Sequence, residues 1–407
     1  MSTVLYLSYD GMTDPLGRSQ VLPYLEGLSK KGVVFHLISF EKKEQYEKGS
    51  SSVRELTEKA GIHWHPLTYT KKPPVISTLY DLSRMWTLAK KLHKTHSFNM
   101  VHCRSYLSGM VGMRMKSRFG IKYLFDIRGF WADERVEGGL WNLKNPVYKT
   151  IYDFFKKKEV AMFRSADAIV SLTQKASVII ASDFKINEDH ISVIPCCADL
   201  NHFNRDRIQQ NIVHEIREST RIGNHQPVLG YLGAIGTWYM LEEMLEFFKR
   251  MLVLHPKAYF LFITPEHQKT IYEKAIQMGI PTNQIGVFSA KREEVPSAIS
   301  LFDASIFFIR PTFSKSASSP TKQGELMGMG IPIICNTGIG DTDTIVKKYD
   351  SGDLVDLNDS LSIDKAIAKL SNTMNLSSEK IISGAEDYFS LEHGVEKYNS
   401  IYKHLLN

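Results

Sequence analysis

Small hydroxyl residues run into a proline-started helix in Ser318-Ser319-Pro320-Thr321-Lys322-Gln323-Gly324-Glu325, with a lysine and a glutamate three residues apart. A helix start of this kind presents free backbone N–H groups and the positive end of the helix dipole, which together suit a phosphate. Lys322 adds a full charge, and Glu325 can lie on the same face and accept hydrogen bonds from a ribose diol. The plain alternative is a capped helix whose Lys and Glu form an i,i+3 pair. A second concentration of charge, Asp126-Ile127-Arg128-Gly129-Phe130-Trp131-Ala132-Asp133-Glu134-Arg135, follows the apolar run Tyr123-Leu124-Phe125. Loops just beyond a buried strand are where open α/β sheets hold ligands, so Asp126, Arg128, Trp131, Glu134 and Arg135 are candidates for contact with a substrate. The competing reading is a surface ion-pair cluster around a half-buried tryptophan.

Metal chemistry finds less support. His63 with His65 and His93 with His96 have usable spacings, but no paired carboxylates or cysteines stand near them, so they read as surface histidines. Asp341-Thr342-Asp343 spells a DxD pattern after the glycines Gly338 and Gly340, in a place that does not suit a cleft-loop metal site. No metal site and no cofactor is expected.

The elements that must position these residues come in two series. Apolar runs at 4–7, 33–38, 100–102, 123–125, 168–170 and 191–194 alternate with helical patterns, notably at 19–31, 77–93 and 145–163. After a polar stretch ending near Gln226 the rhythm restarts at 228–232 and continues through 259–263, 285–288, 304–308, 331–334 and 352–355. Strands alternating with helices indicate parallel sheets covered on both faces. A chain of 407 residues, 43% hydrophobic and 23% charged, is long enough for two such domains.

Composition narrows the function classes. No apolar stretch approaches the roughly 20 residues that cross a bilayer, and four cysteines without CxxC pairs fit a reducing compartment, so a cytoplasmic protein is expected. The net charge of +6 is uneven: residues 1–203 hold 29 Lys and Arg against 20 Asp and Glu, leaving 21 against 24 for the rest. Such an N-terminal excess could meet nucleic acid, anionic lipid or a phosphorylated acceptor, or be no more than an ordinary solvated surface, and no signature of a nucleic-acid-binding module accompanies it. Around Leu79, Leu82, Met85, Trp86 and Leu88, interleaved Arg84, Lys90, Lys91 and Lys94 could rest on an anionic membrane surface, as could Lys156-Lys157-Lys158. Core packing with snorkelling lysines is the alternative.

The segment from Ser318 through Gly330-Ile331-Pro332 resembles the donor-binding motif of family 4 glycosyltransferases, in which a helix with Lys and Glu precedes a Gly-x-Pro strand entry. The resemblance extends over almost the whole chain. Asp14-Pro15-Leu16-Gly17-Arg18-Ser19-Gln20 sits where that family places its glycine loop against the donor diphosphate, and Phe125 to Arg135 looks like the acceptor-side loop of enzymes of bacterial surface-polysaccharide assembly. Ser192-Val193-Ile194-Pro195 with Asp199 and Phe203 is similar to the strand that ends before the interdomain linker.

The resemblance implies an α/β chain of GT-B architecture, two Rossmann-like domains facing across a deep cleft, with the C-terminal helix crossing back to the first domain. The boundaries it implies are 1–203 plus about 388–407 for an acceptor domain and 204–387 for a nucleotide-sugar domain. It further implies a retaining, metal-independent transfer of a sugar from a nucleotide diphosphate to a glycan or a polyisoprenyl-diphosphate-linked acceptor. Lys322, Asp126 and Arg128 would carry the chemistry; Gly17, Arg18, Gly236, Thr237, Arg310, Ser318, Ser319, Thr321, Lys322 and Glu325 would bind the donor; Trp131, Glu134 and Arg135 would meet the acceptor. Two departures stand out. The family's Arg and Lys after the first strand of the second domain are replaced by Gly233-Ala234-Ile235-Gly236-Thr237-Trp238-Tyr239, and the first glutamate of its acidic pair is Ala317. They leave open a nucleotide-sugar epimerase of the same architecture, or a non-catalytic sugar-nucleotide binder or membrane scaffold.

Overall fold

A computed structural model describes residues 2–406, which divide into two compact units: 2–195 with 391–406, and 196–390. The first unit opens with β1 (Ser2–Ser8), then α1 (Pro15–Gln20), α2 (Leu22–Ser29), β2 (Val33–Glu41), α3 (Lys43–Lys59) and β3 (His63–Thr68). It continues with α4 (Ile76–His96), β4 (Met100–Arg104), α5 (Ser105–Phe119), β5 (Lys122–Asp126) and α6 (Trp131–Glu137). The helix α7 (Pro146–Ser165), β6 (Ala168–Ser171), α8 (Gln174–Phe184) and β7 (Ile191–Val193) complete the series. All seven strands are parallel, in the order β3-β2-β1-β4-β5-β6-β7. The order reverses direction between β1 and β4, so the loops after those strands diverge and open a crevice at their carboxyl ends.

The second unit runs through α9 (Gln210–Thr220), β8 (Val228–Leu232), α10 (Leu241–Leu254), β9 (Tyr259–Ile263), α11 (Gln268–Gln277), β10 (Ile285–Phe288) and α12 (Val295–Ile299). After these come β11 (Ala304–Phe307), α13 (Thr321–Gly328), β12 (Ile333–Asn336), α14 (Thr342–Tyr349) and β13 (Gly352–Val355), then α15 (Ser360–Ala368), α16 (Leu370–Met374) and α17 (Ser378–Phe389). Its six parallel strands are ordered β10-β9-β8-β11-β12-β13, with the reversal between β8 and β11. Strands such as Tyr259–Ile263 and Val228–Leu232 are buried along their whole length, as expected of a sheet covered on both faces. The segment from Cys196 lies with this unit: the Ala198 N–H donates to the Phe389 carbonyl at 2.8 Å, and Phe203 is buried in the unit's core. The last helix, α18 (Leu391–Leu406), returns to the first unit and packs on α2, bringing Val395 against Gly27, which has no room for a side chain.

Two local features depart from the sequence pattern. The helix read over 19–31 is broken at Val21 into α1 and α2, because Pro23 has no N–H to continue the ladder. The strand β3 is a seventh member that the apolar runs did not show. It lies at the sheet edge with His63 exposed and His65 half-buried, and its Pro66 is tolerated at an edge. His63, His65 and His96 gather around the buried His36, whose Nδ1 is 3.1 Å from His65 Nε2. Burial and the three neighbouring imidazoles hold His36 down at about 3, so His36 sits in the stack as a neutral ring. Among the described residues no three His, Cys, Asp or Glu side chains are gathered as metal ligands.

Candidate active site

In the second unit the residues singled out on α13 stand at the strand reversal. Gly324 presses this helix against α17, where a Cβ would come within 2.9 Å of Phe389, so only glycine permits the approach. The Cys196 N–H donates to Ser319 Oγ at 3.1 Å, fixing the turn that leads into the helix. Thus anchored, α13 sends Lys322 inward toward the end of β8. Its ammonium lies 3.6 Å from the ring centre of Tyr239 and 4.1 Å from that of Tyr231, and Nζ has no hydrogen-bond partner among the described residues. The Cα of Gly233, at a φ of +98°, faces it: a Cβ there would sit 3.5 Å from Nζ. Two aromatic faces attract a cation, yet they replace none of the hydrogen bonds that water gave it. Burial accordingly pushes the Lys322 amine well below the ordinary lysine range, against an upward pull from Glu325. One turn on, burial pushes the Glu325 carboxyl up to about 7, opposed by Arg292 and Lys322.

The remaining donor-side residues frame this pair. Gly236 takes a φ of +52° and its N–H points to Glu266 Oε1 at 3.5 Å, while Thr237 beside it is exposed. Main-chain bonds from Met240 N to Phe308 O and from Arg310 N to Trp238 O tie this loop to the end of β11, leaving the Arg310 side chain exposed. Ser318 and Thr321 are half-buried in the approach to α13. Sequence reasoning missed four members. Lys315 places its ammonium 3.7 Å from the Trp238 ring centre, Arg292 faces Glu325 electrostatically, and Tyr231 and Tyr239 form the aromatic floor under Lys322. The aromatic residues Trp238 and Tyr239, close after an all-apolar strand, were the available signal.

In the first unit Asp126, Arg128 and α6 occupy the carboxyl end of β5, but Asp126 is enclosed. Its Oδ2 accepts a hydrogen bond from the Tyr398 hydroxyl at 3.0 Å and lies 3.7 Å from both Arg128 Nη1 and His102 Nε2. Burial pushes its carboxyl up, yet Arg128, the contact with His102, and Arg104 outweigh this and hold it below the usual range. His102 in turn shares a 2.6 Å hydrogen bond with the Tyr402 hydroxyl. Arg128 has a φ of +58°, an uncommon conformation for a side-chain-bearing residue, next to Gly129 at +133°. Beyond it, Asp133 fastens α6 to α7 through Tyr152 (2.7 Å) and Lys156 (2.8 Å). Trp131 packs on Phe155 and Tyr106, Arg135 lies 4.5 Å over the Trp131 ring, and Glu134 is half-buried beside them.

Gly17 and Arg18 also belong to this unit. Gly17 lets α1 close on the preceding loop, since a Cβ would meet the Gly11 carbonyl at 2.2 Å. Arg18 is turned onto α3, donating to Gly49 O and Ser52 Oγ at 3.1 Å each. That loop is itself held by Glu41, a buried carboxylate that accepts from the Met12 and Thr13 N–H groups at 2.8 and 3.0 Å, a template that sequence spacing did not reveal.

Comparison with known proteins agrees along the length of the chain. Residues 20–202 match the family described as Glycosyltransferase Family 4, and residues 213–387 match Glycosyl transferases group 1. No curated protein matches in sequence. Among solved structures the chain is similar to a glycosyltransferase from Rickettsia africae ESF-5, with a TM-score of 0.71, 17% identity, and coverage of 100% of this chain and 99% of that one. It is similar to Anabaena Alr3699/HepE in complex with UDP and glucose (0.70, 12%, 99% and 100%). It is also similar to WaaG, a glycosyltransferase involved in lipopolysaccharide biosynthesis (0.66, 14%, 98% and 99%). At these identities the likeness establishes a shared fold.

Proposed function

Because the chain belongs to the family 4 glycosyltransferases of GT-B fold, we propose that it transfers a sugar, with retention and without a divalent metal, from a nucleoside diphosphate donor held by its second unit. The observation that carries this reading is Lys322: a buried amine with no hydrogen-bond partner among the described residues, aimed at the glycine turn after β8, with Glu325 one turn away. A diphosphate arriving there would supply the missing acceptor oxygens and negative charge that favours the ammonium form. As the glycosidic bond to the donor phosphate breaks, negative charge grows on the leaving oxygen. Lys322, the N–H groups opening α13 and the Gly236–Thr237 turn oppose that charge, and Arg310 adds a second cation. Glu325 is suited to accept from the ribose hydroxyls, with Arg292 favouring its ionised form. In this reading the leaving phosphate takes the acceptor proton on the same face, so no carboxylate nucleophile is required.

The acceptor would meet the first unit at Trp131, Glu134 and Arg135. The reading extends to a glycan or polyisoprenyl-diphosphate-linked acceptor in surface-polysaccharide assembly at the inner face of a membrane. It rests on the loop from Phe125 to Arg135 and on the basic excess of the first unit. The Asp126 geometry supports a positioning role: its carboxylate holds Arg128 in place and is itself closed off from bulk solvent.

A thermal-shift panel of UDP, GDP, ADP and dTDP tests the donor part. One nucleotide should raise the Tm selectively in the wild type and much less in Glu325→Gln. Failure of every nucleotide to shift the Tm would sink the reading, and conversion of an NDP-sugar without any acceptor would replace it with epimerisation.

A further inference from the structure

Helices α4, α5 and α7 of the first unit carry twelve Lys and Arg against three Asp and Glu. Of those three acids, Asp81 and Glu159 are fully buried and Asp153 is paired with Lys149 at 2.9 Å. The exposed charge of this face is therefore almost entirely positive. Lys156, which the sequence pattern assigns to the same basic run, is withdrawn from it by ion pairs to Asp133 and Glu159. Among the described residues Lys90, Lys91, Lys94, Arg114, Arg118 and Lys158 have no carboxylate within 4.0 Å.

The same face exposes aliphatic and aromatic side chains. Ile76 is 65% exposed and Leu79 59%, with Val75 and Tyr80 beside them at the start of α4. From Leu79 a groove of about 610 Å³ runs past Leu82, Trp86, Met110 and Met113 to Arg114 and Lys158. Lys90 and Arg114 lie 5.2 and 4.2 Å from the Trp86 ring centre, and Lys158 lies 5.5 Å from that of Phe154. Cations are thus stacked on the rings that border the apolar surface.

We propose that this α4–α5–α7 face docks on an anionic lipid bilayer, with Val75, Ile76, Leu79 and Tyr80 entering the interfacial region and Lys90, Arg114, Arg118 and Lys158 meeting the lipid phosphates. The charge selects an anionic partner. Exposed aliphatic side chains among the cations then favour a bilayer over a polynucleotide, because phosphodiester backbones gain nothing from Ile76 and Leu79, whereas the headgroup boundary accepts apolar and cationic groups together. The inference rests on the membrane part of the proposed function and identifies which surface performs it.

Flotation of the full chain with phosphatidylcholine vesicles, and with phosphatidylcholine mixed with phosphatidylglycerol, tests the proposal. Binding should require phosphatidylglycerol, decline as salt is raised, and fall about fivefold for each cation neutralised in a Lys90→Gln, Arg114→Gln, Lys158→Gln series. Ile76→Ser with Leu79→Ser should weaken it as well. Equal recovery with both vesicle types, no binding at low salt, or full binding by the triple variant would overturn it. The nucleotide-induced Tm shift is read on the same samples. A protein that responds to nucleotide but ignores vesicles sinks the docking face alone, and a loss of both through misfolding is recognised by its lowered starting Tm.

Discussion

The two units differ in how far their buried charges are partnered. In the first, Asp126 is met by Tyr398, Arg128 and His102, Glu41 by a loop of N–H groups, and Glu159 by Tyr106 and Lys156. In the second, Lys322 is left on two aromatic rings without a hydrogen bond among the described residues, and Glu325 is pushed toward neutrality. A buried charge that is well met holds a fold together, and removing its partner is expensive. One left unmet costs stability until a ligand supplies the missing partner, which is how a binding site stores selectivity for an anion. Under the proposed function, the difference marks Lys322 as a site for a ligand and Asp126 as part of its scaffold.

Breaking the contrast should show its two sides. Asp126→Ala, which strands Arg128 and His102, should destabilise the protein by about 3 to 5 kcal/mol in chemical denaturation. An unchanged midpoint would mean that the network is decorative. Lys322→Ala should lower turnover at saturating donor by roughly 10² to 10³-fold while leaving the Tm equal or raised. Near-normal turnover, or a collapse of the Tm, would erase the asymmetry. Glu325→Gln should weaken nucleotide binding by about 1 to 3 kcal/mol, measured calorimetrically.

Proton linkage sharpens the comparison. Glu325 is raised in the folded chain from 4.5 to about 7, so its contribution to stability is fully present below the unfolded value and is lost as pH rises through the folded one. The Tm of Glu325→Gln should therefore gain on that of the wild type between about pH 5 and about pH 8. A gap that stays constant would remove Glu325 from the unmet pair. Burial depresses Lys322 and a bound diphosphate would raise it again, so nucleotide binding should draw in protons at pH values where the free amine titrates, seen as a buffer-dependent binding enthalpy. The smallest effect is expected from EDTA, which should leave turnover unaltered. Activity lost to the chelator and restored by Mn²⁺ would transfer to a divalent cation the charge-stabilising role of Lys322 and the opening of α13.

What could be read from sequence follows the range of the interactions. Alternating apolar runs showed both parallel sheets, because a strand buried on both faces needs unbroken apolar residues such as Tyr259 to Ile263. The edge strand β3 escaped because its histidines and Pro66 do not read as core. Lys322 and Glu325 were visible through local spacing on one helix. The partners of Asp126 were not, since Tyr398 lies 272 residues away and nothing near either residue marks the pairing. The aromatic floor under Lys322 left only the partial signal of Trp238 and Tyr239, because Tyr231 and Tyr239 become neighbours only where β8 ends.

The helix α18 follows the second unit in sequence but completes the first, closing Asp126 and His102 with Tyr398 and Tyr402. On the ribosome, the first unit emerges early yet waits for residues synthesised after the whole second unit has appeared. During that interval, set by a synthesis rate of about 5 to 20 residues per second, Asp126 lacks its tyrosine and the α2 surface that Val395 covers stays open. The second unit has all its strands in hand before then and can settle first. Vectorial synthesis thus reverses the order of completion, and nascent chains stalled before Leu391 should expose the first unit to protease while protecting the second.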